Sequence, residues 1–346
     1  MIKSTAPDKR LILPDLLKGF AVIFMIMVHV TDLFSDSATY HSAFGNVIRL
    51  LGGPLCAPVF LIFLGYFTAM KARHPLKIAS RGLGLLFWGI LLNIGLNFFL
   101  LLSILTGKSN EVPWKFILGA DLLPLAGLSL LLIALAIQLL QKRYYIALIL
   151  GFLLASLPEI AGQESMRIPV MLNSFIFGVS DWSYFPFFPW AGYVLVGFAI
   201  GSIDVKKILR PVRFLPLMLP LLVVVILFFS FGFSNSTNLS DYYHHGFGLF
   251  LWILAVVLVW VFSLSFFPKK IVDSVVGRFL VSCGKHVTAI YVIQWLLIGN
   301  AATLWFFGSM GYLEVIVSML VVIALSSVAG IWLGRRFHSY SRQKLL

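Results

Sequence analysis

One stretch near the N-terminus decides how the chain is read: Leu13-Pro14-Asp15-Leu16-Leu17-Lys18-Gly19-Phe20-Ala21-Val22-Ile23-Phe24-Met25-Ile26-Met27-Val28-His29-Val30-Thr31-Asp32-Leu33-Phe34. About 20 mostly apolar residues suffice to cross a bilayer as a helix, and this run is long enough. Asp15 and Lys18 sit toward one end, and His29 and Asp32 toward the other. At 100° per residue, His29 falls within about 20° of Lys18, Asp15 within about 40° of His29, and Asp32 one turn beyond. The four ionisable groups therefore share one stripe. Hydrocarbon does not accept such a stripe, so it must face the interior of a helix bundle or a wet cavity. By helical rise, His29 stands about 16 Å beyond Lys18.

The composition extends this reading to the whole chain. Of 346 residues, 60% are hydrophobic and only 11% charged, whereas soluble domains carry roughly a quarter charged residues. A solvated surface cannot be built from so few charges, which excludes an ordinary soluble enzyme, a disordered chain and a disulfide scaffold. The 32 Phe fit lipid-facing helices with interfacial anchors. Nine further apolar segments follow the first: Leu50–Met70, Gly82–Leu105, Ile117–Leu140, Tyr145–Leu157, Phe185–Ile203, Phe214–Phe233, Gly246–Phe267, Val276–Gly299 and Tyr312–Gly334. The fifth of the ten, Tyr145–Leu157, is short, and Pro158 is expected to end it. The fold expected is all-α: a polytopic helical membrane protein of about ten transmembrane helices with both termini cytoplasmic.

Basic residues test that count, because Lys and Arg gather in cytoplasmic loops. With both ends inside, the outer segments hold only Arg49, Lys108, Lys115 and Arg167, and the other 22 of the 26 basic residues fall inside. Dropping the short fifth segment would invert every later loop. The net charge of +13 is thus read as topology and contact with anionic membrane lipids. Nucleic acid is set aside, since no aromatic platform accompanies the basic residues. The first apolar run has no small-residue cleavage site after it and is read as a retained span. No internal repeat is evident, and residues 1–346 are read as a single transmembrane domain.

Other polar groups lie at depth or in the outer loops. Asn93 and Asn97 are one turn apart on the third segment, where interhelical hydrogen bonding also explains them. Asp121 opens the fourth as a helix-start acid. Tyr291 and Gln294 lie deep in the ninth. Asp241-Tyr242-Tyr243-His244-His245 invites a metal reading, but adjacent histidines do not share a helix face and no third ligand has metal spacing; no metal is expected. Cys56 and Cys283 fall near opposite ends of their spans, too far apart to bridge. The outer stretch Pro158–Tyr184, with Glu159, Glu164, Arg167, Asn173, Asp181 and Trp182, is expected to form a rim or lid.

At these residues a family resemblance enters. Arg10-Leu-Ile-Leu-Pro-Asp15-Leu-Leu-Lys18-Gly19, followed by Met25 through Phe34, resembles the opening helix of the heparan-alpha-glucosaminide N-acetyltransferase catalytic-domain family. The acid, basic-Gly, then His pattern recurs in the wider superfamily of multi-pass membrane acyltransferases, and the ten residues between Lys18 and His29 match its basic-to-histidine spacing. Ala57-Pro58-Val59-Phe60 through Gly65 is similar to the family's second helix. Phe185-Pro186-Phe187-Phe188-Pro189-Trp190 is similar to its Phe-Pro-Trp segment, and Gly284-Lys285-His286 through Tyr291 to its late helix. Lys18 stands where Arg is usual, and Gln294 where many members carry a second His. In the heparan-sulfate branch the catalytic His lies in the loop after the first helix, the place of His41 here.

The resemblance implies transfer of an acetyl or other short acyl group from cytosolic acyl-CoA to a sugar or glycan acceptor, free or lipid-linked, on the outer side. His29 would act as general base or acyl carrier, with His41 as the runner-up, and Asp32 would orient the imidazole. Asp15, Lys18, Arg81 and Lys285 would hold acetyl-CoA. Asn93, Asn97, Trp190 and Tyr291 would face the acceptor or the oxyanion. The expected location is a bacterial inner (plasma) membrane, in contact with membrane lipids; a homodimer is compatible with the sequence. A secondary transporter or flippase would use the same intramembrane stripe, and a non-catalytic scaffold would use it only to join helices.

Overall fold

The computed structural model describes residues 12–71, 74–140, 143–161, 168–178, 180, 182–203 and 211–343. Arg10, Glu164, Arg167, Asp181 and the inner basic residues Lys3, Lys9, Arg73, Lys142, Lys206, Lys207, Arg210 and Lys344 lie outside the described residues. Among the described residues the structure is helical, with two isolated bridges, Ser35–Met310 and Ala120–Ser183, and no strand. The principal helices are α1 (Ile12–Phe34), α2 (Ala43–Gly52), α3 (Ala57–Lys71), α4 (Pro75–Leu96), α5 (Leu122–Leu140), α6 (Tyr144–Ala161), α7 (Phe187–Ser202), α8 (Pro211–Leu227), α9 (Phe229–Thr237), α10 (Phe247–Ser265), α11 (Val275–Lys285), α12 (Val287–Ala301) and α13 (Tyr312–Gln343).

Each of the ten apolar segments is realised in helix. Eight stretches are long and apolar enough to cross a membrane, α8 and α9 form a further pair bent by 65°, and α7 adds a shorter apolar helix. The protein is an all-α polytopic membrane protein. The fifth segment, the shortest in sequence, is a full 18-residue helix, α6. Its buried residues are Ala147, Gly151 and Ala155, spaced four apart, so one narrow small-residue stripe meets α7 while the rest of the surface is left for lipid. Pro158 does not end this helix as expected. It lies inside α6, in the last turn, and the chain stays helical to Ala161; the missing N–H costs the ladder one bond, to the residue four before it.

Several segments that read as continuous are broken. The second divides into α2 and α3 around Gly53 and Pro54. The third spans α4 and a short helix, Phe98–Leu105, with Asn97 at the joint (φ −101°, ψ 18°). The ninth breaks at His286 (φ −114°, ψ 22°) into α11 and α12. The expected outer loop Pro158–Tyr184 carries a short helix, Val170–Ile176. Trp182 packs edge-on against Trp114 with ring centres 5.4 Å apart, and the Tyr184 and Phe185 amides both donate to the Ala120 carbonyl. Residues 182–185 are therefore held to the entry of α5.

At the centre stands α1, which packs against α2, α3, α10, α11, α12 and α13. Its apolar residues Leu17, Ala21, Val22 and Ile26 are almost fully enclosed. Close approach is made possible by glycine. A Cβ at Gly284 would strike the Asp15 carbonyl, and one at Gly19 the Leu280 carbonyl, so α1 and α11 touch backbone to backbone. α3 and α7 repeat the arrangement, with Gly65 against the Val194 carbonyl and Gly197 against that of Ile62. Interfaces of small residues are how membrane helices gain packing energy when lipid is as apolar as they are. Gly65→Leu should force α3 from α7 and cost about 1–3 kcal/mol or more. Thermal unfolding in detergent is expected to show a clear drop for this variant and little change for Gly84→Ala, whose Cβ would meet open space.

Candidate active site

The stripe on α1 leads into two polar sites, one near each end of the helix. At the end that the loop charges assign to the outside is a small cavity of about 40 Å³. Met25, His29 and Asp32 of α1 line it, with Arg49 of α2, Cys56 in the turn after it, Phe60 of α3, Asp121 ahead of α5, Ser236 of α9, Tyr242 and Tyr243, and Tyr291 and Trp295 of α12. His29 is partly buried. Its Nδ1 lies 3.2 Å from Gln294 Oε1, and its ring lies against the Trp295 indole, centres 4.0 Å apart. An amide oxygen only accepts, so Nδ1 carries the proton and Nε2 keeps the lone pair. Gln294 orients the imidazole; Asp32, expected in that role, makes no hydrogen bond to it.

The cavity wall holds buried polar atoms that no protein group satisfies: Asp32 Oδ1, Arg49 Nε and Ser236 Oγ. The Tyr291 hydroxyl and the Trp295 indole N–H face each other and reach no further partner. Interior polar groups are normally paired, so their concentration around one cavity marks a place meant to receive polar atoms. Arg49 is 3% exposed. Its Nη1 donates to the Tyr40 carbonyl at 2.8 Å and its Nη2 to Asn46 Oδ1 at 2.6 Å, and the guanidinium lies 3.9 Å over the Tyr40 ring.

A short helix, Leu239–Tyr243, closes one side of the cavity. Trp190 is fully buried and donates from Nε1 to the Tyr243 carbonyl at 2.8 Å, so it fixes this closing segment and does not line the cavity. His245 Nδ1 meets the Tyr242 carbonyl at 2.7 Å and its Nε2 the Tyr193 hydroxyl at 3.1 Å. His244 Nε2 meets the Ser183 carbonyl at 2.8 Å. Both imidazoles are thus engaged by protein groups, and among the described residues no cluster of three metal-ligating side chains forms. Asn93 donates to the Gly119 carbonyl at 3.1 Å, and Asn97 to the Asn93 carbonyl at 3.0 Å. These amides hold the joint of α4 against the entry of α5 and stand outside the cavity lining. His41 is exposed beside Tyr40 and is also outside it.

Near the opposite end of α1, Lys18 pairs with the buried Asp15 at 2.9 Å. Lys18 and Lys71 both lie over the Phe67 ring, at 5.3 and 5.6 Å. Phe67 forms the wall of a groove of about 360 Å³ lined by Thr68, Lys71, His74, Lys77, Ile78, Arg81 and Leu130. Lys285, at the end of α11, is exposed and does not line that groove. The structure therefore brings His29, Asp32 and Tyr291 together at one site, and Asp15, Lys18 and Arg81 at or beside the other.

A family model described as an acyltransferase domain matches residues 12–334, nearly the whole chain. The protein belongs to the acyltransferase domain family. No curated protein and no solved structure matches it. Near one end of α1 is the cationic groove, and near the other the chamber that holds His29.

Sequence reasoning passed over Arg49, counting it among four outer basic residues. A signal was present. A lone arginine on the sparsely charged side, directly before an apolar run, is out of place as a topology determinant and fits a buried ligand-facing group better. Tyr242 and Tyr243, in the outer loop Asn235–His245 that the sequence offers as sugar-stacking and hydrogen-bonding groups, line the chamber.

Burial holds the His245 imidazole down at about 4, its bond to the Tyr242 carbonyl acting the other way. An opened segment would titrate near 6.5. Between those values the open form binds a proton that the closed form excludes, so closure weakens as pH falls below about 6.5 and is unaffected above it. Amide exchange in residues 242–246, corrected for intrinsic rates, should show opening that grows up to about tenfold per pH unit from 6.5 toward 4. His245→Gln should flatten that dependence.

Proposed function

We propose that this acyltransferase moves an acetyl or short acyl group from cytosolic acyl-CoA to a sugar or glycan acceptor on the outer side of a bacterial inner membrane. The observation that carries the reading is His29: a hydrogen-bonded imidazole, tautomer set by Gln294, in a polar chamber on the same helix whose other end meets a basic groove. The resemblance of residues 10–34, 185–190 and 284–291 to the heparan-alpha-glucosaminide N-acetyltransferase catalytic-domain family supports the acetyl donor and the sugar acceptor.

In this reading Lys71, Lys77 and Arg81, with Lys18 nearby, hold the CoA phosphates as point charges and forks. His29 Nε2 takes the proton from an acceptor hydroxyl or amine as that atom attacks the thioester carbonyl. The tetrahedral oxyanion accepts a hydrogen bond from the Tyr291 hydroxyl. Collapse breaks the C–S bond, and the imidazolium returns its proton to the leaving thiolate. The same nitrogen serves if the acyl group rests on His29 between two half-reactions.

Labelled acetyl should pass from acetyl-CoA into membrane glycans with the wild type. His29→Ala should lower transfer by at least about 10²-fold at equal protein levels, and Gln294→Leu by a smaller factor through loss of the tautomer. Equal transfer by wild type and His29→Ala would remove the imidazole from the mechanism. Absence of transfer together with solute flux in proteoliposomes would favour a transporter. Arg81→Gln should raise KM for acetyl-CoA several-fold, more at low salt than at high, and leave kcat nearly unchanged.

A further inference from the structure

Arg49 has no part in the chemistry above, yet its setting is unusual. Its two Nη groups are committed to the Tyr40 carbonyl and to Asn46, and its plane is held on the Tyr40 ring. These contacts fix the guanidinium, and its Nε–H is buried without a partner in the wall of the chamber that contains His29. Across the same chamber Asp32 offers a buried oxygen, Oδ1, that nothing donates to. The two are not joined as an ion pair among the described residues. An unpaired guanidinium N–H and an unpaired carboxylate oxygen each carry a desolvation penalty. Direct pairing would remove both, and the fold instead holds them apart.

A donor and an acceptor facing one space match a molecule that presents both an oxygen lone pair and an O–H. Adjacent hydroxyls of a sugar do so. An anion does not, because it would oppose Asp32 and also Asp121, which lines the same chamber. We propose that Arg49 is an acceptor-binding and specificity residue: Nε–H donates to one hydroxyl oxygen of an uncharged sugar ring, whose neighbouring hydroxyl donates to Asp32 Oδ1, and this two-point grip directs a hydroxyl to His29. The assignment rests on the acyltransferase reading only for its last step; the grip itself is a binding claim.

The test uses the full chain in nanodiscs, with neutral methyl glucosides and methyl galactosides as probes, and methyl glucuronoside as the charged control. Binding is read from quenching of tryptophan fluorescence, since Trp295 lines the chamber, and CoA release from acetyl-CoA is followed in parallel. Wild type should bind at least one neutral glycoside and prefer it to the glucuronoside. Arg49→Gln and Asp32→Asn should each weaken that binding by at least about tenfold, while KM for acetyl-CoA stays within about twofold. Arg49→Lys keeps the charge without the fork and should also weaken binding; its melting temperature serves as the folding control. Unchanged affinity in Arg49→Gln, tighter binding of the glucuronoside, or no binding of any neutral glycoside by wild type would overturn the proposal. Binding that depends on Arg49 without CoA release would leave the grip standing and count against the acyltransferase reading.

Discussion

The bilayer core offers no water, and that single constraint shapes the molecule around α1. A helix that carries Asp15, Lys18, His29 and Asp32 on one stripe cannot sit at the lipid boundary. It has to be enclosed, and α1 is enclosed by six other helices. Backbone contact at Gly19 and Gly284 brings α11 close enough to share the task. Each polar group then finds its own solution. Asp15 and Lys18 neutralise one another, His29 takes Gln294, and Asp32 is left without a partner. The order of these solutions along the helix separates a charged groove from a reaction chamber.

The fold was legible because its signal is compositional. A run of about 20 apolar residues has few alternatives to a spanning helix, and loop charges kept the short fifth segment in the count, where the structure shows a full helix. The breaks were less legible. Asn97 interrupts a helix that is apolar on both sides, so hydropathy alone does not register it; His286 follows α11, which carries Arg278 and Lys285, and the change of helix there falls inside one segment. The proline of α6 misled because its usual effect on the residue before it is a bias, and here the helix runs through Pro158 to Ala161.

The chamber was legible in part. His29, Asp32 and Tyr291 carry polar atoms at depth and could be picked out one by one. Asn93 and Asn97 were picked out by the same rule, and their amides hold a joint in the chain (Gly119 and Asn93 carbonyls). Depth flags both uses, and only the partners tell them apart. Arg49 escaped because counting charges per loop says nothing about burial. Gln294 was noted as a replacement for a second histidine, and its bond to His29 required α1 and α12 to be placed side by side.

α3 touches both polar sites: Phe60 lines the chamber, and Phe67, Thr68 and Lys71 the groove. Seven residue steps of unbroken helix separate the two phenylalanines, about 10 Å by helical rise. Main-chain contact with α7 at Gly65 and Gly197 splints that interval. The helix is thus a ruler of fixed graduation. Whatever molecule spans from the cationic end to the imidazole must match a length written into the polypeptide itself.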